Sequence, residues 1–141
     1  MKSFLAACGV AALLWVAPVS AQTSVSRYNV PFPFVVGNEI IPAGHYRVTV
    51  DTNFYLCRLQ AVDSTATHVV RLVPGVYARG TANRMNAGVL RFAKLDGQYY
   101  LTGIWKAGEV SGHETLSGRR FNQLAKGGTG SETVSLDSDA K

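Results

Sequence analysis

Apolar and polar residues alternate along most of this chain in short runs with a period of two. Tyr46-Arg47-Val48-Thr49-Val50 is the plainest case, with Tyr46, Val48 and Val50 on one face of a strand and Arg47 and Thr49 on the other. Val30, Phe32 and Phe34 share a face in the same way, while Pro31 and Pro33 fall together on one lateral margin. Proline has no N–H to give a ladder, so it suits a strand paired on one side only. Residues 27–36 are therefore expected to form an edge strand, its apolar row on the core and its prolines guarding the open margin. A polyproline-like lead-in outside any sheet is the alternative reading.

The pattern continues with turns at expected places. Gly37-Asn38 should turn the chain into a short strand at Ile40-Ile41, and Pro42-Ala43-Gly44-His45 reads as a type II turn with its glycine at positive φ. Asp51-Thr52-Asn53 and Asp63-Ser64-Thr65 bracket a strand over 54–62; another over 67–73 should stop at Pro74-Gly75. Residues 76–86 read as a polar connection without a period. Asp96-Gly97 between two β-prone runs is the mark of a two-residue type I′ hairpin. That turn sets Phe92 opposite Leu101, Lys94 opposite Tyr99 and Val89 opposite Ile104. Gly103 then falls opposite Leu90, where a bulge or close packing would account for it. Trp105 is expected to cap the core. Residues 117–126 could form a short helix with Ser117 as N-cap, Gly127-Gly128 as stop and a narrow stripe of Leu116, Phe121, Leu124 and Ala125, although Gly118 weakens it. The sum is an all-β fold, a small antiparallel sandwich or barrel of about 6–8 strands with one short C-terminal helix.

The first residues stand apart from this pattern. Lys2, an apolar run over 4–16 and the small residues Val19-Ser20-Ala21 read as a signal peptide cleaved after Ala21; the run is shorter than the ~20 residues that span a bilayer. Leu5-Ala6-Ala7-Cys8 matches a lipobox, but its cysteine comes near the start of the apolar core, where lipidation is not expected. The expected organisation is thus a signal peptide over 1–21, one β domain over 22–136 and a frayed tail over 137–141. No transmembrane span is expected after cleavage, and the destination is periplasmic or extracellular. Cys57 is then the one cysteine of the mature chain, so no internal disulfide is possible; beside Leu56 and Leu59 it reads as a buried, inert thiol.

Charge and chemistry narrow the functions. The chain carries a net charge of +5, but its basic residues (Arg27, Arg47, Arg58, Arg71, Arg79, Arg84, Arg91, Lys94) are scattered at strand spacing, like a solvated β face. A nucleic-acid stripe would be denser and interleaved with stacking aromatics, so nucleic acid is not an expected partner. His45, His68 and His113 stand alone in sequence, without the close pair that zinc usually takes, and neither metal nor cofactor is expected. There is no Gly-x-Ser-x-Gly elbow; Ser138-Asp139-Ala140-Lys141 fits Ser-x-x-Lys only at the chain's last four residues, and Gly127-Gly128-Thr129-Gly130 lacks the lysine of a phosphate loop. Glu39, Glu109 and Glu114 remain as acids by elimination. Tyr99, Tyr100 and Trp105 are the candidate ligand contacts. Tyr99 and Tyr100 point to opposite faces, so at most one of them is core.

VPFPFVVGNEIIPAGHYRVTV, VLRFAKLDGQYYLTGIW and the stretch SGRRFNQLA together resemble a group of small exported β proteins found in many copies in certain soil bacteria. The resemblance covers most of the chain after residue 21, with Ile-Pro-Ala-Gly here where Leu-Pro-Ala-Gly is expected. It implies the fold and export and, since no activity is assigned to the group, no functional residue. Two readings of function follow. The first is an exported non-catalytic β domain, a binding or envelope-associated module whose partner is an envelope component or polysaccharide. The second is a hydrolase acting on envelope or extracellular polymer through a site assembled from dispersed residues. The enzyme question stays open between them. A monomer is expected, with pairing through an open sheet edge as the route to assembly.

Overall fold

The computed structural model describes residues 24–77, 86–125 and 131–139; the expected signal peptide, most of the expected polar connection over 76–86 and the stretch Gly127-Gly128-Thr129-Gly130 lie outside them. The described residues form ten strands and one helix, an all-β fold with a short C-terminal helix and more strands than the sequence suggested. One sheet runs β1 (Ser24–Val30), β4 (Gly44–Asp51), β5 (Leu56–Ala61) and the start of β6 (Thr67–Tyr77), all antiparallel. The end of β6 pairs with β9 (Ser111–Thr115), which pairs with β8 (Gln98–Trp105) in a second sheet. There β8 also ladders with β7 (Val89–Leu95), and β7 with β10 (Glu132–Asp137). The free half of β8's other margin takes β2 (Phe34–Val36), itself paired to β3 (Glu39–Ile41). The β2–β8 pair is parallel, which departs from the all-antiparallel expectation.

The opening prolines lie between strands. The expected single strand over 27–36 is two strands: β1 in the first sheet and β2 in the second, broken over residues 31–33. A chain stepping from sheet to sheet leaves both ladders, so an imino acid there costs no bond. Only β1 is an edge strand in the sense expected, since it ladders with β4 alone. Phe32, caught between the prolines, stacks on Tyr99 at 3.8 Å and meets Phe92 edge-on at 5.2 Å.

Other boundaries moved for physical reasons. Pro74-Gly75 does not end β6; the ladder to β9 is irregular between Val73 and Val76, and a bulge accommodates proline inside a strand. Gly44 is not the positive-φ residue of a type II turn but the first residue of β4, opposite Val30. Asp51 Oδ1 accepts the amides of Asn53 and Phe54, which holds residues 52–55 in the turn and starts β5 at Leu56 rather than Phe54. The hairpin turn is as expected, with Asp96 at φ 50° and Gly97 at φ 80°. Asp137, placed by the sequence in a frayed tail, belongs to β10. Beyond it the Ser138 amide donates to Gly88 O and the Asp139 amide to Arg27 O, both at 2.8 Å.

The two sheets enclose one core. Tyr28, Val30, Tyr46, Val48, Val50, Cys57, Leu59 and Val70 come from the first sheet, Leu72 from where β6 passes into the second, and Phe34, Ile41, Leu90, Phe92, Leu101 and Ile104 from the second. Phe34 sits at its centre, edge-on to Tyr46 at 5.7 Å and to Phe92 at 5.3 Å. Each such ring or aliphatic group removed from water contributes roughly 1.5–3 kcal/mol. Burial pushes the Cys57 thiol up to about 12, so it is an inert hydrophobe at neutral pH. Among the described residues no helix is long and apolar enough to cross a membrane.

Candidate functional site: the helix-flanked outer face of the second sheet

The face of the second sheet that points away from the core is only partly covered. Helix α1 (Leu116–Ala125) follows β9 directly and lies against β8. Thr115 sets it there: its hydroxyl donates to Leu101 O at 2.6 Å and accepts the Gly118 amide at 2.8 Å. Thr115 is therefore the N-cap, and the expected cap Ser117 instead accepts the Gly37 amide at 2.7 Å. Gly118, which weakened the helix in sequence, is what allows it to approach: a Cβ there would lie 2.5 Å from Thr102 O. Phe121 is buried against the sheet, 5.4 Å from the Tyr100 ring, whereas Leu116 is exposed and not part of the apolar stripe.

Beside the helix an open depression of about 180 Å³ is lined by Arg91, Ala93, Thr102, Gly103, Trp105, Glu114, Phe121, Asn122, Ser131 and Thr133. Its geometry begins with the hairpin. Phe92–Leu101 and Lys94–Tyr99 pair as expected, but the register shifts between Arg91 and Phe92. Thr102 is the extra residue, so Arg91 faces Gly103 and Val89 faces Trp105. The bulge leaves Ile104 in the core and Trp105 outside the core cluster, which corrects its expected role as a core cap. The indole lies in a bed that only glycine permits: a Cβ on Gly103 would come within 2.7 Å of the ring and one on Gly112 within 2.1 Å. The Arg91 guanidinium lies 4.2 Å over it.

The charges around the depression are few and fixed. Burial lowers the Arg91 pKa, and its Nε, like Trp105 Nε1, is buried without a hydrogen-bond partner among the described residues. Glu114 accepts from Asn122 Nδ2 at 2.7 Å and lies 3.7 Å from Arg119 Nε. The Thr102 hydroxyl donates to Arg91 O at 3.1 Å. His113 is the neighbour of Glu114 but does not line the depression. Desolvation, with Lys106 nearby, lowers its pKa from 6.5 against the opposing pull of Glu109, so it is neutral at pH 7.

The candidate contacts fall in different places. Tyr99 is on the core side, stacked on Phe32. Tyr100 is on the helix side, half-buried, its hydroxyl donating to Gln98 Oε1 at 3.3 Å. Trp105 walls the depression but is 5% exposed, one face of its ring under Arg91. Arg91, Thr102, Asn122 and Thr133 were not singled out by the sequence; the available signal was Trp105 with glycines near it, Gly103 on its own strand and Gly112 on the next. Of the other candidates, His68 Nδ1 lies 3.0 Å from Glu39 Oε2, a pair joining β6 to β3 away from the depression. No cluster of three metal-ligating side chains occurs among the described residues. Comparison of the chain with family models, with curated proteins and with solved structures gave no match.

Proposed function

We propose that the protein is an exported, non-catalytic β domain that acts by binding, as an envelope-associated module. The observation that supports this is the make-up of the depression. It offers a guanidinium laid on an indole, a carboxylate already engaged by an amide, and a hydroxyl already donating to a carbonyl. Such groups orient a polar ligand, but among the described residues there lies no nucleophile beside a base. A hydrolase is the second reading. It draws on the Glu39–His68 pair, because a carboxylate on one imidazole nitrogen is how a general base is held.

Soluble peptidoglycan fragments and short envelope glycans, presented to the chain lacking residues 1–21, separate the two readings. Calorimetry should find a bound fragment, with affinity reduced about tenfold by Arg91→Gln, the loss of one charge-assisted contact. No new reducing ends or free amines should appear. Turnover that is abolished by Glu39→Gln would overturn the proposal in favour of the hydrolase.

A further inference from the structure

The arginines that are dispersed in sequence are gathered by the fold. Arg27, Arg47, Arg58 and Arg71 stand on β1, β4, β5 and β6, one per strand, and all four are exposed. Their strand neighbours Tyr28, Val48, Leu59 and Leu72 are buried, so the arginines share the outer face of the first sheet. Register places them in a row. Arg27 is directly opposite Arg47; Arg58 is opposite Thr49, two residues along from Arg47; Arg71 is opposite Leu56, two along from Arg58. With strands ~4.8 Å apart and ~3.4 Å per residue, neighbouring arginines in this oblique row start ~5–8 Å apart.

Among the described residues, no ion pair engages any arginine of the row. The ion pairs among the described residues use His68, Lys94, Lys106 and Arg119, none of them on this face. The carboxylates nearest by register are Asp51, which accepts amides of its own turn, and Asp139 beside β1; neither forms an ion pair with these arginines. Like charges directly opposite on a ladder, as at Arg27 and Arg47, work against the fold.

We propose that this face binds a linear anionic polysaccharide, one that carries carboxylates at regular intervals. The row is a line, so an extended chain laid across the strands meets one guanidinium after another. All four cations are arginine, whose planar fork takes a carboxylate bidentately, where a bilayer needs only point charges that lysine supplies equally. Thr49, Gln60 and Thr67 lie between or beside the arginines and offer hydrogen bonds to hydroxyls. The outward positions of the four strands hold no Phe, Tyr or Trp, and Phe54, exposed in the turn before β5, is a single ring at the end of the row, unlike the series of stacking rings of a platform for single-stranded nucleic acid. This inference rests on a different surface from the depression, so failure of either leaves the other standing.

Affinity electrophoresis and calorimetry with polygalacturonate, on the chain lacking residues 1–21, test it. Wild type should bind, more weakly as salt is raised. Arg47→Gln/Arg58→Gln should lose at least about tenfold in affinity, with near-UV circular dichroism unchanged because both side chains are exposed. Arg47→Lys/Arg58→Lys should fall between the two. The proposal is overturned if polygalacturonate is not bound, or if the glutamine variant binds as wild type. It is also overturned if the lysine variant is indistinguishable from wild type, or if phosphatidylglycerol vesicles or single-stranded DNA are bound more tightly than the polyuronate.

Discussion

The residue that organises the outer face of the second sheet is Trp105, and its position is set by what is missing around it. Gly112 leaves room for the indole; a Cβ there would lie 2.1 Å from the ring. Gly112→Ala should therefore force the ring from its bed and destabilise the protein by about 1–3 kcal/mol. Urea unfolding followed by the fluorescence of Trp105 checks this, and the native emission should shift as Arg91 loses its place over the ring. How far this was legible is instructive. The pairing of Phe92 with Leu101 was plain in the sequence, and so was the Asp96-Gly97 turn. Which side Trp105 took was not, because that depends on one residue of bulge at Thr102, and a bulge leaves no mark on a period-two pattern.

Among the elements, α1 depends most on a single side chain. Thr115 both caps the helix and satisfies Leu101 O on the strand beneath, so one hydroxyl fastens the helix to the sheet. Thr115→Ala should cost about 1–2 kcal/mol, the upper part of the range for a lost cap, because a buried carbonyl is orphaned as well. Thr115→Ser should recover most of it. Thermal melts compared across the three proteins decide the matter. Sequence alone chose Ser117, intrinsically the better cap of the two. The helix begins earlier because β9 runs into it without a loop, and no local propensity announces that continuity. The same blindness applies to Pro74-Gly75 in β6 and to the break at residues 31–33. Proline marks where a ladder is interrupted, but whether the strand then bulges, ends or changes sheet is decided by its neighbours.

On the scale of the whole molecule, charge was the least legible property. Four arginines separated by 11 to 20 residues of chain look scattered, and only the pairing of β1, β4, β5 and β6 aligns them. Relieving the Arg27–Arg47 opposition should raise stability: Arg47→Gln is expected to gain about 0.2–1 kcal/mol in urea titrations at low salt. The gain should shrink as ionic strength rises. A side chain whose removal both stabilises the fold and weakens polymer binding would be kept for the binding. The backbone bond from Asp139 to Arg27 has a different consequence. It brings Asp139 beside the middle of β1, about three residues or ~10 Å along the strand from Ser24, so the two ends of the described fold lie close together. A unit with that geometry can be spliced whole into a surface loop of a host protein, like a cassette, without prising the host's flanking segments apart.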